Sequence, residues 1–94
     1  MATEVVNHPG MNRYELLVDG VSAGFSDYQL RGDTIVFIHT EIDPANRTKG
    51  LGSELVRGAL NLVRAETDLR VVASCPFTAA WIAEHPDYQD LLTR

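Results

Sequence analysis

Apolar and polar positions alternate from Arg13 to Val18 (RYELLV) and again from Val21 to Leu30 (VSAGFSDYQL), on either side of Asp19-Gly20. Alternation of this kind predicts strands, and Asp-Gly between two strands is a strong hairpin signal. In the return strand the period places Val21, Ala23, Phe25 and Asp27 on one face, while Gly24 marks a bulge or a close backbone contact. Arg31-Gly32-Asp33 is the next turn. Thr34 to Ile42 (TIVFIHTEI) is apolar on both faces in its first half, as a central strand covered on two sides would be. A period of two puts Ile35, Phe37, His39 and Glu41 on one of those faces. The expectation is a three-stranded antiparallel meander. Met1 to Met11, with the turn signal His8-Pro9-Gly10, reads as a loose lead-in.

The period then changes. Leu51, Leu55, Ala59, Leu62 and Val63 fall on one stripe of a helix from Gly50 to Ala65, with Glu54, Arg57, Asn61 and Arg64 opposite and facing water. Thr67-Asp68 ends it. Leu69 to Ser74 reads as a short buried strand, and a right-handed crossover lays it parallel to Thr34–Ile42. Cys75-Pro76 breaks that strand, since proline suits the first turn of a helix. Phe77 to Glu84 is a second short helix that stops before His85-Pro86, and the apolar residues of Tyr88 to Leu92 pack back on the sheet. Tyr14, Tyr28 and Trp81 read as packing residues. The fold class is α+β with one α/β unit: an antiparallel meander followed by a helix, a parallel strand and a short C-terminal helix.

At 94 residues the chain is expected to form a single domain, 1–94, with one modest core and no separate substrate domain. The net charge of −5 argues against nucleic acid or an anionic membrane as partner. It also makes the basic pair Arg47 and Lys49 locally unusual. A lone cysteine, Cys75, excludes an intrachain disulfide and suits a reducing, cytoplasmic setting. Met1-Ala2-Thr3-Glu4 is not the basic start of a signal peptide, and no run approaches the roughly 20 apolar residues of a membrane span. No metal site is expected.

Chemistry concentrates at Arg47-Thr48-Lys49-Gly50-Leu51-Gly52-Ser53. A strand leads in and a helix leaves, so unpaired N–H groups and the positive end of the helix dipole face this turn. Gly50 and Gly52 lack a Cβ and admit a phosphate close to the backbone, with Arg47 and Lys49 beside it. The plain structural alternative is a tight strand-to-helix corner. A P-loop is excluded because Ser53-Glu54 stands where Lys-Ser/Thr is required. The dinucleotide fingerprint is excluded because Leu55 replaces its third glycine.

Three further residues could move protons or an acyl group. His39 and Glu41 sit near the end of the central strand, just before the turn, where either could accept a proton. Their bland alternatives are a histidine satisfied by backbone and a solvated carboxylate. Cys75 precedes a helix start, which favours its thiolate; otherwise it is a small buried apolar residue. Tyr88 is a weaker candidate acid, more simply a ring capping the core edge.

The ordered motifs His39-Thr40-Glu41, Arg47-x-x-Gly50-x-Gly52, Cys75-Pro76-Phe77 and His85-Pro86-x-Tyr88 resemble the GNAT superfamily of N-acetyltransferases. In particular they resemble its minimal GNAT-like family, proteins of about this length that lack the N-terminal helix pair of full-size members. The similarity runs from Arg13 to Leu92. It implies that the glycine turn binds the pyrophosphate of coenzyme A through Arg47, Thr48, Lys49, Gly50, Leu51, Gly52 and Ser53. Thr48 departs from the glycine expected there. It also implies that the pantetheine arm lies along the backbone of Thr40 to Ile42, and that Cys75 is a catalytic residue.

The resemblance therefore implies an acetyl-CoA-dependent N-acetyltransferase working by direct transfer. Glu41 or His39 serves as base, and Cys75 as acid or acyl carrier. The acceptor is a small-molecule amine or a lysine- or polyamine-type cation, favoured by the acidic surface. The protein is expected to be a monomer or weak homodimer. The competing readings are a coenzyme A-binding module without catalysis, and an interaction subunit whose turn binds nothing.

Overall fold

The computed structural model describes residues 2–94, with the side chains of Arg47, Thr48 and Lys49 outside the described residues. The first element is a strand, β1 (Thr3–His8). It pairs antiparallel with β2 (Arg13–Val18), from Thr3↔Val18 to His8↔Arg13. The expectation of a loose lead-in is thus corrected. His8-Pro9-Gly10 is a turn, as its residues say, but it joins two strands. Pairing and long-range contacts fix this edge strand: Asn7 accepts a hydrogen bond from Tyr28 Oη (2.8 Å), and His8 Nε2 meets Glu15 Oε1 at 3.0 Å.

Asp19 and Gly20 both take positive φ (50° and 83°). A two-residue hairpin of the right twist needs that pair of left-handed conformations. They join β2 to β3 (Val21–Arg31), and Gly32 turns β3 into β4 (Thr34–Ile42). After β4 come a 3₁₀ turn (Pro44–Lys49), α1 (Leu51–Glu66), β5 (Arg70–Ala73), α2 (Pro76–Ala83) and a final 3₁₀ segment (Pro86–Thr93). The sheet has five strands in the order β1-β2-β3-β4-β5. Four of them form the antiparallel meander, one more than the pattern predicted, and β5 is parallel to β4.

Two bulges set which residues face the core. Leu16 pairs with Gly24 but Leu17 with Ser22, so Ala23 is an extra residue in β3. Asp27 pairs with His39 but Tyr28 with Phe37, so Ile38 is an extra residue in β4. Each bulge reverses the alternation beyond it. In β3 the buried residues are therefore Ala23, Gly24, Ser26 and Tyr28. Phe25 and Asp27 face away, held by Arg13: its guanidinium lies 3.9 Å over the Phe25 ring, and its Nε donates to Asp27 at 2.7 Å. Gly24 sits where β4 comes close, since a Cβ there would meet Glu41 O at 2.6 Å.

One core joins α1, α2 and the C-terminal segment to a single face of the sheet. It is built from Leu16, Tyr28, Ile35, Phe37, Leu51, Leu55, Val56, Leu60, Val63, Val71, Ile82, Leu91 and their neighbours. The buried stripe of α1 adds Val56 and Leu60 to the expected positions, while Leu62 is only half-buried. Each such side chain contributes roughly 1.5–3 kcal/mol by leaving water. The other face of the sheet is not sealed: Val36 is half-buried and Ile38 exposed, so the first half of β4 is not covered on both sides as its composition suggested. The chain end is tied back by Arg64, whose Nη1 and Nη2 donate to Asp90 at 2.7 and 2.9 Å.

Candidate active site

β4 and β5 run together only from Thr34↔Arg70 to Phe37↔Ala73. There they part. Phe37 O accepts from both Ser74 N (3.0 Å) and Cys75 N (2.9 Å), which turns the chain out of β5 and into α2. β4 continues through the Ile38 bulge to Ile42 with β3 as its remaining strand partner. The fork opens into a cleft of about 600 Å³ lined by His39, Thr40, Glu41, Ile42, Gly50, Gly52, Ser53 and Phe77.

α1 presents its start to this cleft. Gly50 has φ +69°, and among the described residues no side chain caps the first turn. That left-handed conformation would cost a residue with a Cβ roughly 1–2 kcal/mol. A Cβ at Gly50 would meet nothing within 4 Å, so the helix N-terminus is open to approach. Gly52 differs, because a Cβ there would lie 2.8 Å from Phe77 Cζ. An aromatic ring of α2 leans on the space where its Cβ would be, which the sequence pattern did not reveal. Leu51 is buried in the core, so its backbone alone faces the turn. Ser53 Oγ accepts from Trp81 Nε1 at 2.7 Å. An indole N–H can only donate, so the serine's own proton is left free to point elsewhere. Trp81, a packing residue by sequence, thereby also fixes a polar group at the cleft. Among the expected phosphate ligands, Arg47, Thr48 and Lys49 have backbones in the 3₁₀ turn, and their side chains lie outside the described residues.

The bulge changes the placement of the β4 residues. Ile35 and Phe37 are buried, but His39 and Glu41 are exposed and do not share their face. The reason is Ile38, an extra residue that a strict period of two cannot anticipate. His39 Nε2 and Glu41 Oε1 are 3.9 Å apart, and the His39 ring lies 6.0 Å from Phe25. The residue turned inward is Thr40, whose Oγ1 lies 3.1 Å from buried Ser26 Oγ.

Cys75 is 5% exposed, and its Sγ donates to Thr40 Oγ1 at 3.6 Å. Burial pushes the thiol's pKa up, but the donors that face the sulfur once it ionises (the Thr78 N–H, the Thr40 hydroxyl, the Thr78 hydroxyl and the Phe77 N–H) outweigh burial and hold it below the ordinary value. The helix start at Pro76 supplies those N–H groups. Tyr88 stands apart: it is buried, its hydroxyl donates to Asn61 Oδ1 at 2.9 Å, and its ring meets Trp81 edge-on at 4.9 Å. Among the described residues no cluster of three or more His, Cys, Asp or Glu could hold a metal ion. Nor is any helix among them long and apolar enough to cross a membrane.

A mixed sheet whose parallel pair forks beside a glycine-started helix makes this an α+β fold with an open cleft at a helix N-terminus. The chain belongs to the GCN5-related N-acetyltransferase family, whose model matches residues 13–91. Its fold is similar to the crystal structure of the ribosomal-protein-S18-alanine N-acetyltransferase from Escherichia coli, with a TM-score of 0.62 and 18% identity. The likeness covers 77% of this chain and 49% of that one, so this chain spans about half its neighbour's length. No curated protein sequence matches the chain.

Proposed function

We propose that this chain is an acetyl-CoA-dependent N-acetyltransferase of the cytoplasm, acting on a primary amine. The observation that carries the reading is the fork. In a family of N-acetyltransferases, β4 leaves β5 at Phe37 and opens a cleft that ends at the open first turn of α1. The residues present fit coenzyme A: Gly50 leaves the helix N-terminus accessible, Ser53 keeps a hydroxyl proton free, and Phe77 gives the cleft an apolar wall.

In this reading the backbone of Arg47 to Ser53 (with Gly50, Leu51 and Gly52 between) and the basic side chains of Arg47 and Lys49 hold the pyrophosphate. Thr40 and Ile42 offer backbone along the cleft for the pantetheine amides, as a sheet edge receives an added strand. When bound, acetyl-CoA supplies the activated acetyl thioester. Glu41 or His39, both on the cleft wall, accepts the proton of the attacking amine. Cys75 holds the proton that the leaving sulfur needs. Its burial behind Thr40 supports the acid role over the acyl-carrier role, since an acyl carrier must itself touch the acetyl carbon. The acceptor is a lysine-, polyamine- or other small cationic amine, drawn by the net charge of −5 and by Glu41.

The test is transfer of labelled acetyl from acetyl-CoA to a panel of peptide, lysine and polyamine amines. Coenzyme A at a hundred times its Kd should also stabilise the fold by about 2.7 kcal/mol. Stabilisation without transfer to any amine would leave a coenzyme A-binding module. No stabilisation at all would sink both.

A further inference from the structure

Cys75 is placed oddly for a group that exchanges protons with a cleft. It is buried, and Thr40, not Cys75, lines the cleft. Yet Sγ and Thr40 Oγ1 are in contact at 3.6 Å, and Thr40 Oγ1 is itself 3.1 Å from Ser26 Oγ. Ser26 is 1% exposed, and Thr78, whose buried hydroxyl has no partner but the ionised Cys75 sulfur, lines the same small void as Ser26. Three hydroxyls and one thiol thus gather under the floor of the cleft in an otherwise apolar core. A buried polar group without a partner costs roughly 1–3 kcal/mol, so a core would ordinarily exclude such a group.

Among the described residues the elements around the thiol bring no charge to it. β4 contributes the Thr40 hydroxyl, with the Ser26 hydroxyl of β3 behind it, and α2 the N–H groups of Phe77 and Thr78 and the Thr78 hydroxyl. The nearest titratable side chains of β4, His39 and Glu41, are exposed on the strand's other face. The one hydrogen-bonded route from Cys75 to the cleft among the described residues is therefore through Thr40.

We propose that Thr40 is the proton relay between Cys75 and the cleft. This rests on the acetyltransferase reading above and goes beyond it in assigning a side-chain role to a residue placed there for its backbone. The step balances. The amine lone pair forms the C–N bond, and the C–S bond breaks with its electron pair going to sulfur. Thr40 gives its hydroxyl proton to that sulfur and takes the S–H proton of Cys75 in exchange, leaving a Cys75 thiolate. Glu41 or His39 has meanwhile taken the amine proton. The thiolate is reprotonated from the cleft by the same route in reverse. Hydroxyls relay protons in this way without changing charge, so a neutral threonine suffices. The N–H groups of α2 then stabilise the thiolate left behind.

The test compares Thr40→Val, which keeps the shape and removes the hydroxyl, with Thr40→Ser, which keeps the hydroxyl. Two readouts are taken on each: turnover with the best acceptor amine, and the thiolate absorbance of Cys75 against pH without any ligand. Thr40→Val should lose roughly ten- to a thousand-fold in kcat, with acetyl-CoA affinity within a few-fold of the parent. Its thiolate midpoint should move up, because the thiolate has lost a donor. Thr40→Ser should recover most of both. A Thr40→Val protein with parental kcat overturns the relay, and so does an unmoved thiolate midpoint. If the parent itself transfers acetyl to nothing, the acetyltransferase reading fails instead. The titration then judges the Thr40–Cys75 link by itself, supporting it if the midpoint rises and ending it if not. If Thr40→Val unfolds because Ser26 loses its partner, the double change Ser26→Ala with Thr40→Val removes both hydroxyls and carries the same two readouts.

Discussion

The two halves of β4 are made of one strand and do opposite jobs. From Thr34 to Phe37 it is flanked by β3 and β5 and sends Ile35 and Phe37 into the core. From Ile38 to Ile42 it has lost β5, its inward residues are the polar Thr40 and the partly buried Ile42, and its outward residues His39 and Glu41 line the cleft. The single inserted residue Ile38 separates them. It costs the strand one pairing and brings a strand edge, an inward hydroxyl and the exposed pair His39 and Glu41 to one place. The first half should thus carry stability with little effect on chemistry, and the second half the reverse.

The strongest way to break that division is Phe37→Ala. Phe37 is fully buried and packs against Tyr14 and Tyr28 at ring distances of 6.0 and 6.3 Å. Removing it should cost about 3–5 kcal/mol, a large part of what a domain this size has in total. Denaturant unfolding measures it. In the second half, Glu41→Gln should leave stability within about 0.5 kcal/mol while cutting turnover by roughly a hundred-fold or more. A core loss below about 1 kcal/mol for Phe37→Ala, or a large one for Glu41→Gln, would show the halves are not divided this way.

Titration sharpens the contrast next. Tyr14, beside the first half, is 2% exposed and its pKa is pushed up to about 12, chiefly by burial. Cys75, beside the second half, is nearly as buried, yet its pKa is lowered because donors surround it. For Tyr14 the folded pKa lies above the unfolded value near 10. Its contribution is whole below pH 10 and is lost as pH rises toward 12. By about 1.4 kcal/mol per pKa unit, that loss totals roughly 3 kcal/mol. Tyr14→Phe, which cannot ionise, should flatten the fall in stability between pH 10 and 12. An equally steep fall in Tyr14→Phe would assign it to other groups.

How much of this was legible follows the same line. The bounds of β2, β4 and the hairpin could be read from alternation and from Asp19-Gly20, and the helix α1 from its stripe, because local pattern decides them. β1 is not legible in the sequence because TEVVNH is short and sits before a strong turn signal, and its pairing partner is supplied only by the fold. The faces of β3 and β4 depart from strict alternation because a bulge is a relation between two strands, and no single strand announces it. The glycine turn could be found by its residue types, but the Phe77 ring behind Gly52, the Trp81 bond to Ser53 and the Ser26–Thr40–Cys75 chain join residues far apart in sequence.

The turn offers a smaller effect. Gly50→Ala places a Cβ on a residue at φ +69° and should cost about 1–2 kcal/mol, although the new methyl meets no atom. Thermal unfolding checks this. An unchanged midpoint would mean the turn relaxes out of the left-handed region at no cost.

Gly52→Ala should change stability least and yet report on the cleft most directly. Its backbone is ordinary helix, so alanine gains up to roughly 1 kcal/mol of helix preference over glycine. Against this, the new Cβ would stand 2.8 Å from Phe77 Cζ, and the ring must give way. Phe77 is 46% exposed, and the atom in contact is the far tip of its side chain, so the ring can swing out without disturbing the core. The two effects nearly cancel, and the unfolding free energy should stay within about 0.5 kcal/mol of the parent. The displaced ring, however, forms one wall of the cleft that Gly50, Gly52 and Ser53 share with the second half of β4. Coenzyme A should therefore bind several-fold more weakly to Gly52→Ala by calorimetry, although the fold is intact. Equal binding with equal stability would take Phe77 out of the ligand's path. A stability loss above about 1 kcal/mol would mean the ring belongs to the core, and that this end of the cleft serves stability as the first half of β4 does.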